Sequence, residues 1–477
     1  MSLRPARLTA IHSRRSAPIR PLLKAGAKVS EHRLANGMRV LLAERHSDPV
    51  VASVLLYPAG ARTETEREAG LSHFLEHMMF KGTKRHGKGE VDRLTTELGG
   101  ANNAYTGHDH TAYWFELASD RWERALELEA DRMQHLLIDP AEFDAERAVV
   151  LEELAMGEDD PWRALVRRVE EALFPHHPYG RPIIGYPEVL KALTPADMRA
   201  YYRRFYHPGN ATLVVCGDVR PAAALAAVRA RFERIPRGTP FAEADPFRRK
   251  LEEPAGEKRV NASWDDPGRR LVVVWPTTTV GTHDDDALDL AMTVLASGRM
   301  SRLWRRLVLE EGLATSISAS NDSRIEGGAL WIFAECAQDA DPARLEAVLH
   351  EEIARLAREK VGQAELARAR AILVASEAFE SETVTDVAEE LGEWAVDADW
   401  RRAFDGCERH LVLRPAALQA VAKRYLQPER RVVGWCQPRE DALGRATSTA
   451  RRATRTAKTV RKQAARKGGA KRARTSR

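Results

Sequence analysis

Cysteine is scarce. The four residues Cys216, Cys336, Cys407 and Cys436 are scattered through 477 with no close pair, which excludes a disulfide framework and any Cys-x-x-Cys zinc or redox motif. Cys216 and Cys436 sit in apolar strand patterns, so buried thiols in a reducing compartment are expected. Long apolar runs are also missing: no stretch reaches membrane-spanning length, and no apolar core follows Arg14-Arg15 to make a signal peptide. An organelle presequence would suit the Arg- and Ser-bearing start, but Pro5, Pro18 and Pro21 break a long amphipathic helix. The Ala- and Arg-rich composition fits a cytoplasmic bacterial protein, with an organelle matrix as second choice. Acids, finally, are absent from both ends. Residues 445–477 hold thirteen Lys or Arg and residues 1–28 hold seven; removing those twenty charges from the net +5 leaves the body near −15. Such a tail is too polar and self-repelling to fold alone. It reads as a solubilising segment, or as one making non-specific contact with nucleic acid or another polyanion, which salt would weaken.

What is present is more telling. His73-Phe74-Leu75-Glu76-His77 places two histidines one helical turn apart, with Glu76 projecting slightly to one side. Two imidazoles on one face can hold Zn²⁺, and the carboxylate beside them can take a proton from water activated there. The bland reading is two hydrogen-bonded histidines on a core helix. A metal site needs a third ligand, and the run from Asp139 to Leu154 offers one. Asp139 caps that helix, Pro140 takes its first position and Glu142 completes a capping box. Glu153 shares a face with Val149, Val150 and Met156, so its carboxylate is expected inward, where an unpaired charge is costly; Glu146 lies two turns earlier. Periodicity does not separate Glu153 from Glu152.

H-x-x-E-H is the inverzincin order, and the chain resembles the pitrilysin and insulin-degrading zinc peptidases, most closely the mitochondrial-processing-peptidase branch and its bacterial relatives. The resemblance spans roughly residues 30–440. It rests on His73 to Thr83, on Asn103-Ala104-Tyr105-Thr106, on Pro178-Tyr179-Gly180-Arg181 through Gly185, and on a glutamate seventy-six residues after His77. That spacing selects Glu153. The resemblance implies one Zn²⁺ per chain held by His73, His77 and Glu153, with Glu76 as general base and Glu146 supporting a ligand. It also implies a substrate-binding role for Asn103 and Ala104, near a strand that accepts an extended peptide by β-addition. His108 and His110 on the same segment read as solvated or hydrogen-bonded, since no third ligand accompanies them.

A weak internal repeat divides the chain. Val51–Pro58 parallels Arg270–Pro276, and the stretch Tyr201–Asp218 parallels Tyr425–Pro438. The expected fold class is α+β: two homologous α/β sandwich domains, each a mainly antiparallel sheet with helices over one face. The expected boundaries are a basic extension over 1–29, a metal-binding domain over 30–236, a linker over 237–258, a second domain over 259–440 and a basic tail over 441–477. Ser297–Leu303 stands where the second domain would carry a metal helix. Relatives usually have an aromatic in the stretch reading Gly312-Leu313-Ala314-Thr315-Ser316, and a basic residue before it; both are missing here. By resemblance the chain is half of a clamshell, completed by a second copy or by a related non-catalytic subunit, and acts as an endopeptidase on flexible peptides. The rival readings are a silent peptide-binding subunit and a polyanion-binding protein acting through its tail.

Overall fold

The repeat becomes two sheets in the computed structural model, which describes residues 28–240, 247–252 and 254–439. The first sheet contains β1 (Lys28–Arg33), β2 (Arg39–Glu44), β3 (Val50–Tyr57), β4 (Ala101–Thr106), β5 (Thr111–Ala118) and β6 (Thr212–Gly217) in the order β1-β2-β6-β3-β5-β4. The second contains β7 (Lys258–Trp264), β8 (Arg269–Pro276), β9 (Ala314–Asp322), β10 (Ala329–Cys336) and β11 (Val432–Pro438) in the order β7-β11-β8-β10-β9. Apart from β1 the two orders match strand for strand. In each sheet one pair is parallel, β2 with β6 and β7 with β11, and the others are antiparallel. The paired segments read from sequence are β3 with β8, and β6 with β11. β1 and β7 begin slightly before the expected 30 and 259.

Helices were expected over one face of each sheet, but both faces are covered. On the inner face of the first sheet, Val40, Leu42, Val51, Leu55 and Tyr57 pack with Leu71, Phe74, Leu75 and Met78. The opposite face presents Leu41, Val54, Leu56 and Val214, and it is covered by Val384, Val387, Ala388 and Leu391 of the helix Val384–Asp397, which comes from the second half. The exchange is reciprocal. Leu165, Val169 and Leu173 of the first-half helix Pro161–Leu173 cover Val272, Val274 and Val432 of the second sheet. The cause lies in the strands. β3 (Val-Val-Ala-Ser-Val-Leu-Leu-Tyr) and β8 (Arg-Arg-Leu-Val-Val-Val-Trp-Pro) are near-continuous apolar runs, buried from their second residue onward, and a sheet of such strands needs cover on both sides.

Two local expectations are corrected. The topological counterpart of the helix Leu71–Met78 is His283–Ala296, and Ser297–Leu303 is its exit rather than its replacement. Asp139 does cap its helix, accepting from the N–H groups of Ala141 and Glu142, but Glu142 pairs with Lys88 at 2.7 Å instead of closing a capping box. All four cysteines are buried and unbridged. Among the described residues no helix is long and apolar enough to cross a membrane. The basic ends, 1–27 and 440–477, and residues 241–246 and 253 of the expected linker lie outside the described residues.

Candidate functional site

The H-x-x-E-H run forms the helix Leu71–Met78, as its spacing predicts. Its apolar positions Leu71, Phe74, Leu75 and Met78 are fully buried, which turns His73, Glu76 and His77 away from the core and toward the helix Pro140–Glu158. There the side chains converge. Glu153 Oε2 lies 3.5 Å from His77 Nε2 and 3.9 Å from His73 Nε2, and the three ligand atoms fall within 4.8 Å of one another. Zinc bonds of about 2.0–2.1 Å in a tetrahedron separate ligand atoms by about 3.4 Å, so this donor set fits the ion. Among the described residues it is the one group of three or more His, Cys, Asp or Glu so arranged.

The electrostatics suit the same task. Burial, and then the neighbouring His77, push the His73 pKa down to about 4, so its ring is neutral and its lone pair free at neutral pH. His77 Nδ1 is 2.9 Å from Glu146 Oε1, which leaves Nε2 facing Glu153. Burial pushes the Glu146 pKa up, but hydrogen bonds from Lys81 (2.6 Å) and His77 outweigh it and hold the carboxyl below the usual range. Glu76 behaves in the opposite way: burial raises it above the usual carboxylate range against a hydrogen bond donated by the Thr106 hydroxyl at 2.5 Å. A carboxylate with a raised pKa beside two imidazoles suits proton transfer.

Glu153 is not where periodicity places it. Its side chain is 45% exposed, and Val149 and Met156, expected to share an inward face, are exposed at 48% and 68%. The buried stripe of this helix is Phe143, Glu146, Val150 and Leu154. Glu153 therefore stands at the rim of an open cleft of about 450 Å³, whose lining includes His73, Thr106, Leu154, Val166 and Ile184. Glu152 is exposed and outside the cluster.

Asn103 and Ala104 lie on β4, the edge strand, paired with Trp114 and Tyr113 of β5. β4 and β5 form a hairpin turned at Gly107-His108-Asp109-His110. Asn103 is exposed, and its side-chain oxygen accepts from the Ala104 N–H at 2.9 Å. His108 lies 3.6 Å from Glu170, and His110 3.1 Å from Asp397, so both rings have carboxylate partners. Sequence reasoning missed Thr106 and Lys81, each within reach of a site carboxylate; Thr106 ends the Asn103-Ala104-Tyr105-Thr106 motif, and Lys81 lies in the run after His77. In the second half, the counterpart helix carries Asp285, Asp286 and Asp289 in place of the histidine pair.

Comparisons with known proteins identify the family. Residues 39–186 match the insulinase family, peptidase family M16, and residues 192–373 match the peptidase M16 inactive domain. A protein of Mycobacterium tuberculosis named as a zinc protease is 32% identical over 306 residues, covering 62% of this chain and 68% of that one. The solved structure of a protease from Helicobacter pylori superposes with a TM-score of 0.82 at 25% identity, covering 86% of this chain and all of that one. The periplasmic protease PqqL of Escherichia coli superposes at 0.72 and 19% identity, with 87% of this chain matching 48% of PqqL. The chain belongs to peptidase family M16.

Proposed function

We propose that this chain is a zinc-dependent endopeptidase that cleaves extended peptides or unfolded segments. The observation that carries the reading is the convergence of His73 Nε2, His77 Nε2 and Glu153 Oε2 at the mouth of a cleft, with Glu76 on the same short helix. His73, His77 and Glu153 would hold one Zn²⁺, which when bound supplies Lewis acidity toward a peptide carbonyl and a lowered water pKa. Glu76 takes the proton of the attacking water and returns it to the leaving amine; its raised pKa strengthens it as the base of the first transfer. Thr106 fixes the direction of that carboxylate. Glu146 accepts from His77 Nδ1 and holds the ring in the tautomer that offers Nε2. The outer edge of β4, with Asn103 and Ala104, receives the substrate backbone as an added strand once the Asn103 side chain releases the Ala104 N–H.

The domain reading joins this proposal: the domain over 30–236 carries the chemistry, and the second domain over 259–440 helps hold substrate without a metal of its own. The open cleft and the exposed Val149 and Met156 beside Glu153 support a half-chamber closed by a second copy or a related subunit. Residues 445–477 serve as a solubilising segment or add salt-sensitive contact with polyanions, and they lie outside the described residues.

Zinc content and cleavage of a mixed peptide library, wild type against Glu76→Gln, test the assignment. The variant is expected to keep about one zinc per chain and to lose turnover. A variant that still cleaves, measured free of contaminating protease, refutes the role of Glu76. A wild type that holds zinc but is inactive points to a missing partner subunit.

A further inference from the structure

We propose that Glu64 is a positioning residue for the metal centre, its carboxylate anchoring the first turn of the metal helix and thereby setting where His73 stands. The inference rests on the zinc-site reading above and adds a residue to it. Glu64 lies in the loop before the helix and is 2% exposed. One carboxylate oxygen accepts from the Gly70 N–H at 2.9 Å and the other from the Ser72 N–H at 2.7 Å. Arg181 fixes the loop in turn, donating to the main-chain oxygens of Glu64 at 2.8 Å and Ala61 at 3.0 Å.

The helix needs this anchor. It has eight residues, about two turns, a length that is not stable by itself. Its N-cap is Gly70, at φ +94°, which has no side chain to cap with. A larger residue does not fit there, because a Cβ on Gly70 would lie 2.5 Å from the Ile184 carbonyl oxygen. The Ser72 hydroxyl is engaged by Tyr201 at 2.6 Å. The first-turn N–H groups therefore find their acceptor in a carboxylate from outside the helix.

The two histidines also differ in how they are held. His77 is oriented through Nδ1 by Glu146. His73 Nδ1 is buried and has no hydrogen-bond partner among the described residues, although metal-binding histidines nearly always have one. The position of His73 is left to its backbone, and Glu64 grips the residue immediately before it. A fully buried carboxylate is costly to maintain; burial raises the Glu64 pKa to about 7 against these hydrogen bonds. The orientation of His73 gives that cost a purpose.

The experiment uses the full chain as wild type, Glu64→Gln and Glu64→Asp. Zinc affinity is measured by chelator competition, and the ligand geometry by the visible spectrum of the cobalt(II)-substituted protein. Glu64→Gln turns an amide nitrogen toward one of the two N–H donors. It is expected to weaken zinc binding about 10- to 100-fold and to change the cobalt bands while circular dichroism stays native. Glu64→Asp keeps the charge with a shorter reach; it is expected to recover part of the affinity, and it carries the test if the Gln variant does not fold. A folded variant with lower thermal stability but unchanged zinc affinity and cobalt spectrum overturns the inference and leaves the zinc site standing. A wild type that binds neither metal overturns the zinc-site reading itself.

Discussion

Glu146 is a buried carboxylate shared by two cations or potential cations, His77 at 2.9 Å and Lys81 at 2.6 Å. Lys81 supplies the charge that keeps Glu146 ionised, and Glu146 then orients His77. Replacing Glu146 by Gln is expected to lower zinc affinity about 10- to 100-fold, read by chelator competition; unchanged affinity would remove Glu146 from the site. Single residues were legible in the sequence where chemistry constrains spacing. The two histidines, Glu76, Glu146 and Glu153 are all in or beside the cluster. The burial of Glu153 was not legible, because its helix lines a cleft and two of its apolar side chains, Val149 and Met156, are exposed rather than turned into the core. Glu64 and Thr106 were missed because each acts through a contact across a loop or between a strand and a helix, where no periodicity marks the pair.

Between elements, the clearest long-range device is the contact of the β4–β5 hairpin with the helix Val384–Asp397. Tyr105 donates to Glu393 at 2.7 Å, and His110 meets Asp397 at 3.1 Å. Burial lowers the His110 pKa, but the hydrogen bond and charge of Asp397, with Glu393 and Asp109, outweigh it and bring the value to about 9, from 6.5 unperturbed. A folded pKa above the unfolded one stabilises the native state fully below pH 6.5, and that stabilisation is lost as pH rises through 9. Wild type should therefore lose more stability than His110→Asn between pH 6 and pH 9.5, by on the order of 1–3 kcal/mol, measured by denaturant unfolding at each pH. Equal losses in the two proteins would mean that the pair does not couple the halves. The strands were legible as apolar runs, but their cover was not. A run such as Val50–Tyr57 signals burial on both faces, yet nothing in it names a partner three hundred residues away. The fit is close: a Cβ on Gly434 of β11 would approach Cγ2 of Val169, on the helix from the other half, to 2.4 Å.

At the scale of the whole molecule, the exchange of helices makes the two halves one folding unit although the sequence divides them cleanly. The first half alone would expose Leu41, Val54, Leu56 and Val214, all at 1% or less in the intact chain. At about 1.5–3 kcal/mol for each buried side chain, the loss is comparable with the roughly 5–15 kcal/mol that stabilises a typical native protein. The second half alone would likewise uncover Val272, Val274 and Val432. Separately expressed 28–236 and 254–439 are thus expected to be insoluble or to bind a hydrophobic dye without cooperative unfolding, whereas co-expression should yield a soluble one-to-one complex with a single transition. An isolated first half that unfolds cooperatively and binds zinc would show that the crossed helices are ornaments on independent domains. The dependence has a functional consequence, because the helix that carries Leu165 and Val169 into the second half also presents Val166 to the cleft beside His73. A shift between the halves would move one wall of that cleft relative to the helix Leu71–Met78.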